Sequence, residues 1–123
     1  MVIDTVAWVR LEDGLILCAR PRAKDVFYIP GGKREGAETD LQTLRREIAE
    51  ELTVTLLPET ARHVRTYQAG QVRMSCYTAE YAGTLTPSSE IDELAWFCYA
   101  DRDRVPPVDQ LLFDDLNASG QLR

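Results

Sequence analysis

Three glutamates, Glu47, Glu50 and Glu51, crowd one end of the stretch from Gly31 to Val54, GGKREGAETDLQTLRREIAEELTV. On a helix turning 100° per residue they fall within roughly a 100° arc. Like charges at i,i+3 and i,i+4 cost a few tenths of a kcal/mol each when exposed, and more when partly buried. A hard divalent cation, Mg2+ or Mn2+, removes that cost, because it takes carboxylate oxygens together with phosphate oxygens and water. A solvated acidic face softened by Arg45 and Arg46 is the competing account, and isolated charge runs are usually that. In an isolated run the solvated face is preferred. What favours the cation in this setting, and with it a bound phosphate chain, is the fixed spacing of the acids from Gly32 and Glu38, set out below.

That setting is a helix with a buried stripe. Leu41, Leu44, Ile48 and Leu52 recur at i, i+3, i+7 and i+11, and Thr39 or Asp40 can cap the start. The stripe is centred about a quarter-turn from the acids, which therefore lie at the rim of the buried face. Rim acids look into the space where the helix meets a sheet and the Gly31-Gly32 loop.

Strands must supply that sheet. Residues 2–10 and 15–20 are β-branched, apolar runs separated by Glu12-Asp13-Gly14, a hairpin signal because Asp and Gly tolerate φ > 0. Val26-Phe27-Tyr28-Ile29 reads as a short strand ended by a sharp turn at Pro30-Gly31-Gly32. Residues 62–69 and 72–82 read as two strands joined at Gly70, and 91–99 as a strand covered on both faces. Pro106-Pro107 opens a last helix, with Val108, Leu111, Leu112, Asp115 and Leu116 on one side and an end near Ser119-Gly120. The order predicts an α+β fold, a mixed sheet with a helix on each face.

With 123 residues the chain is expected to form a single domain, residues 1–123. The net charge of −6 argues against a nucleic-acid partner, and no apolar run is long enough to span a bilayer. The N-terminal residues lack the pattern of a signal peptide, so a cytoplasmic location is expected. Cys18, Cys76 and Cys98 form no CxxC or Cys/His cluster and read as free thiols.

The spacing from Gly32 onward fits G-x5-E-x7-R-E-U-x-E-E-x-G-U, where U is aliphatic. Gly32, Glu38, Arg46, Glu47, Ile48, Glu50, Glu51 and Val54 occupy eight of the nine constrained positions. This is the Nudix box, and the chain resembles a Nudix hydrolase of the small MutT type. The preceding Pro-Gly-Gly, and Glu90, Glu93, Trp96 and Phe97 after the box, also look like the family. The resemblance implies a Nudix fold, an α/β/α sandwich, and Mg2+- or Mn2+-dependent hydrolysis of a nucleoside diphosphate linked to another moiety. It implies Glu47, Glu50, Glu51 and the Gly31 carbonyl as metal ligands, and an Arg46–Glu38 ion pair that fixes the loop against the helix. A metal-activated water would attack phosphorus, with a general base drawn from Glu50, Glu90 or Glu93.

One position departs from the box: Thr53 stands where glycine is expected. A β-branched residue is poorly suited to φ > 0, so the helix is expected to leave Leu52-Thr53-Val54 directly in an extended conformation. Thr53→Gly is then expected to bring no stability.

For the substrate, Arg20 and Lys33 are the phosphate candidates, and Tyr28 a candidate wall of a base pocket. Asp109 is an acceptor for an amino or N–H edge, or simply a first-turn helix acid. Arg22 and Lys24 read as solvated loop residues, and the lone His63 as a surface residue. The leading expectation is a nucleoside triphosphate pyrophosphohydrolase, releasing a monophosphate and pyrophosphate, as a monomer or homodimer whose partner is a small nucleotide. A dinucleoside polyphosphate or ADP-sugar hydrolase, or a Nudix module that binds without cleaving, are the alternatives.

Overall fold

Strand β1 (Ile3–Trp8) is the axis of the computed structural model, which describes residues 1–123. Val6, Ala7 and Trp8 are consecutive and all buried, so this strand is covered on both faces. It pairs antiparallel with β4 (Gly31–Lys33) on one side and parallel with β7 (Val72–Thr78) on the other. β6 (Arg62–Ala69) completes a four-stranded mixed sheet in the order β4-β1-β7-β6. A second sheet joins β2 (Leu11–Glu12), β3 (Leu15–Pro21) and β9 (Ile91–Phe97), and a third pairs β5 (Thr55–Leu56) with β8 (Tyr81–Ala82).

The helices take opposite sides. On one side α1 (Asp40–Leu52) buries Leu44, Ile48 and Leu52 against Val6, Trp8, Leu17, Val54 and Leu56. On the other, α2 (Pro107–Ala118) buries Val108, Leu112, Phe113 and Leu116 against Ala7, Val9, Ile16, Met74 and Cys76. The α/β/α arrangement expected from the sequence is borne out.

Local chemistry accounts for most boundaries. Thr39 caps α1 reciprocally: its hydroxyl accepts from the Gln42 N–H at 3.2 Å, and its own N–H donates to Gln42 Oε1 at 2.9 Å. Asp13 (φ 53°) and Gly14 (φ 76°) form the expected hairpin turn. That hairpin joins β2 to β3, whereas β1 was expected to be its first arm. Apolar on both faces, β1 belongs instead in the middle of the larger sheet, and the chain crosses between sheets at Val9-Arg10.

Four other expectations are corrected. Gly31-Gly32 is a strand against β1, with Gly31 opposite Ala7 and Gly32 opposite Val6, not a free turn. Val26–Ile29 forms only a bridge, in which Tyr28 and Ala19 exchange two 2.8 Å hydrogen bonds. β9 is covered only in part: Ala95 and Phe97 pack with the α2-side core and Leu94 with the α1-side core, while Asp92, Glu93 and Trp96 are exposed. In α2 the buried side carries Asp109 and Phe113, while Leu111 and Asp115 turn outward.

Thr53 is the sixth correction. It sits at φ 59°, ψ 25°, the left-handed conformation that the box glycine would adopt, so α1 ends as it would with glycine. Its N–H donates to the Ala49 carbonyl, and its hydroxyl donates to the Leu52 carbonyl at 2.7 Å. Closing the last turn this way outweighs the discomfort of a β-branched residue at φ > 0.

Candidate active site

The two box-proximal glycines are demanded by different neighbours. A Cβ on Gly31 (φ 151°) would lie 1.9 Å from the Val6 carbonyl oxygen, inside the backbone of β1. A Cβ on Gly32 would lie 2.4 Å from the Glu47 carboxyl carbon. Gly31 thus lets β4 seat on β1, and Gly32 makes room for an acid from α1.

Arg46 ties the loop of residues 33–38 to that helix. Its guanidinium donates to Glu38 through Nε at 2.8 Å and Nη2 at 3.0 Å, a two-pronged pair. It also donates to the Lys33 carbonyl at 3.2 Å and to Glu47 Oε1 at 2.8 Å. Glu38 meanwhile accepts from the Glu35 N–H at 2.9 Å and the Thr43 hydroxyl at 3.0 Å. The Arg46 bonds, with the Glu35 N–H next, hold the Glu38 carboxyl down at about 2.

The three helix acids occupy three environments. Glu50 is exposed, 3.8 Å from Arg46. Glu47 lies under Gly32, and burial pushes its carboxyl up despite the bond from Arg46. Glu51 lines the cavity described below and accepts from the Gly31 N–H at 3.4 Å. Burial first, then the charge of Glu47, pushes its carboxyl up to about 8, with smaller contributions from Glu50 and Glu90. A carboxyl held protonated by burial and like charge is one that a cation would relieve, since a cation replaces the proton and cancels the repulsion. The side chains are not drawn into a formed cage of three or more ligands. The donor set nonetheless fits a hard divalent cation: all oxygen, partly buried, and open to the cavity through Glu51.

A cavity of about 370 Å3 runs from this helix to α2. Gly31, Gly32, Lys33 and Glu51 line one part of it, and Tyr28, Ile29, Met74, Val108 and Asp109 another. Asp109 is 3% exposed and accepts from the Ile29 N–H at 2.9 Å. Burial raises its carboxyl to about 6 against that bond.

Of the residues singled out in the sequence, Lys33, Tyr28, Asp109, Gly31, Gly32 and Glu51 meet at the cavity. Arg20 does not line it: its Nε is 3.1 Å from Glu93, and it also donates to the Lys24 carbonyl at 3.1 Å. The pair occupies both partners, so Glu93 too is turned to other work. Glu90 has no ion-pair or hydrogen-bonding partner for its carboxylate and is close enough to raise Glu51. Lys24 was read as solvated, yet it lines the cavity, with its ammonium 3.5 Å from the Tyr28 hydroxyl and 5.4 Å from the ring centroid. The i,i+4 spacing of Lys24 and Tyr28 carries no such information in a loop, because only the Ala19–Tyr28 bridge folds the two together.

Known proteins share this architecture. The chain superposes on the Escherichia coli ORF135 protein with a TM-score of 0.78 and 27% identity, covering 96% of this chain and 92% of that one. A MutT protein from Methanosarcina mazei gives 0.79 at 18% identity, covering 97% and 95%, a likeness of fold alone. The family model described as NUDIX domain matches residues 2–116, and the chain belongs to that family. It is 32% identical over 113 residues to the NAD-capped RNA hydrolase NudC of Deinococcus radiodurans, covering 88% of this chain and 40% of that protein. It is 31% identical over 87 residues to the human 8-oxo-dGDP phosphatase NUDT18, covering 68% and 27%. The chain thus spans well under half the length of both curated relatives.

Proposed function

We propose that this chain is a Mg2+-dependent hydrolase of nucleoside diphosphate-linked compounds, and that a nucleoside triphosphate is cut to the monophosphate and pyrophosphate. One observation carries the reading. A single cavity of about 370 Å3 joins the acid helix at Glu51 to a buried, largely apolar end at Asp109, placing a pocket for a base beside the acids. The names of the curated relatives, a NAD-capped RNA hydrolase and an 8-oxo-dGDP phosphatase, support the diphosphate-linked class and widen the choice of compounds to test.

Glu47, Glu50, Glu51 and the Gly31 carbonyl would hold the cation, which would neutralise phosphate charge and acidify water when bound. The base would lie among Tyr28, Ile29, Met74 and Val108, with Asp109 accepting from an N–H edge. Lys33 and Lys24, which both line the cavity, would meet phosphate oxygens. Arg46 keeps Glu47 and the 33–38 loop in place. Glu90, whose carboxylate is unpaired, would take the proton of the attacking water. The water oxygen bonds to phosphorus, the bridging P–O bond breaks, and pyrophosphate leaves.

The experiment is turnover of a panel with Mg2+: the common and 8-oxo nucleoside di- and triphosphates, dinucleoside polyphosphates, NAD and ADP-sugars. Pyrophosphate and monophosphate from a triphosphate are expected, and Glu51→Gln is expected to reduce turnover by orders of magnitude with the fold intact. Stabilisation by a nucleotide that is never cleaved would replace hydrolysis by binding alone.

A further inference from the structure

Of the cations in the run Arg20-Pro21-Arg22-Ala23-Lys24, only Lys24 lines the cavity; Arg20 is paired with Glu93, and Arg22 has no part in the chemistry above. We propose that Arg22 is a positioning residue that frames the Ser88–Glu90 turn and so aims the Glu90 carboxylate at the acid helix. This rests on the reading of Glu90 as general base.

Arg22 holds the turn from two sides of its own residue. Its backbone N–H donates to the Glu90 carbonyl at 2.7 Å, and Nη2 donates to the Ser89 carbonyl at 3.1 Å. Nε also stands 3.6 Å from Asp92. The turn needs such support. Ser89 is at φ 57°, a conformation that side chains other than glycine adopt reluctantly. The β3–β9 register slips here as well: Arg20 faces Glu93 but Pro21 faces Ile91, leaving Asp92 as the extra residue of a bulge. The far end of the turn is fastened to α1, because the Ser88 N–H donates to the Glu51 carbonyl at 2.9 Å and the Thr86 N–H to the Leu52 carbonyl at 3.0 Å.

The turn is therefore strung between Arg22 and the end of the acid helix, with Glu90 as its last residue. Bulges and left-handed residues near a site re-aim a side chain, and they persist only where neighbours over-determine them. Two arginines at one strand end have contrasting effects. Arg20 occupies the carboxylate of Glu93, whereas Arg22 grips the carbonyls of Ser89 and Glu90, pairs with Asp92, and leaves the Glu90 carboxylate free.

The test is a double-mutant cycle with Arg22→Ala and Glu90→Gln on the substrate that the wild-type chain turns over best. Arg22→Ala is expected to lower kcat ten-fold or more with KM within two-fold, and to change kcat less than two-fold once Glu90→Gln is present. Amide exchange at position 22 and at Ile91, whose N–H groups donate to the Glu90 and Ser88 carbonyls, is expected to quicken in Arg22→Ala, with α1 unchanged. If Arg22→Ala does not fold, Arg22→Lys enters the same cycle under the same criteria. Wild-type kcat in the active chain, or an equal loss from Arg22→Ala with and without Glu90→Gln, would overturn the positioning role alone. A wild-type chain that cleaves nothing would overturn the hydrolase reading and this role together.

Discussion

Arg46 grips Glu38 with two prongs of its guanidinium, at 2.8 and 3.0 Å, across eight residues of chain. The pair closes the loop of residues 33–38 on the helix that carries the acids. Lysine keeps the charge and cannot reproduce the fork. Arg46→Lys is expected to lower kcat ten-fold or more while the far-ultraviolet spectrum stays that of the wild type. Steady-state kinetics on the best substrate checks this, and unchanged kcat would show that charge alone suffices.

The glycine pair separates fold from site. Gly31→Ala puts a methyl into the β1 backbone, 1.9 Å from the Val6 carbonyl oxygen, which no rotamer change can move, and is expected to cost about 3 kcal/mol or more. Gly32→Ala meets only the movable Glu47 carboxylate and is expected to cost about 1 kcal/mol. Its main effect is expected on the gain in melting temperature that Mg2+ confers, which should shrink sharply. Urea titrations of both variants, with and without Mg2+, distinguish the two.

Thr53 at φ 59° reverses the expectation drawn from its side chain. Glycine relieves the left-handed strain, worth about 1–2 kcal/mol, and gives up the hydroxyl bond to Leu52 and some backbone entropy. Thr53→Gly is therefore expected to stabilise the chain by about 0.5–1 kcal/mol, read as a higher urea midpoint at an unchanged slope. A loss of stability would mean that the hydroxyl bond matters more than the strain.

Asp109 predicts a pH dependence with a definite sign. Its carboxyl rises from 3.8 to about 6 on folding, chiefly through burial, so the folded state holds the proton more tightly than the unfolded state. The stability linked to that proton is full below about pH 4 and falls as pH rises through about 6, by up to roughly 1.4 kcal/mol per unit. Asp109→Asn, which can still accept from the Ile29 N–H, is expected to flatten that decline. Denaturant titrations between pH 4 and 7 test it, and an unchanged slope in the variant would assign the decline to another group.

Much of this arrangement was legible because it is encoded locally. The α1 stripe, the Thr39 cap and the Asp13-Gly14 turn depend on residues a few positions apart, and each appears where expected. So does the spacing that joins Gly32, Glu38 and Arg46 to the acids. The misreadings share another origin. Nothing near Gly31-Gly32 reveals that β1 will approach it, and nothing near Arg20 reveals that Glu93 will claim it from 73 positions away. Lys24 joined the cavity, and Asp109 the buried side of α2, through packing between elements distant in sequence. Thr53 failed for a different reason: a side-chain preference was set against a helix end and lost.

The parallel pairing of β1 with β7 carries a consequence for how the molecule comes into being. Ile3 lies opposite Val72 and Trp8 opposite Tyr77, so the central strand finds this partner only after the residues up to Tyr77 have been synthesised. β4 depends on β1 in turn. A nascent chain that stops short of Val72 holds the whole stretch from Gly31 to Val54 and lacks the sheet that seats it. Contacts so far apart in sequence fold slowly. The acid helix thus spends its first moments as a local structure awaiting a distant strand, and the cavity beside it waits with it.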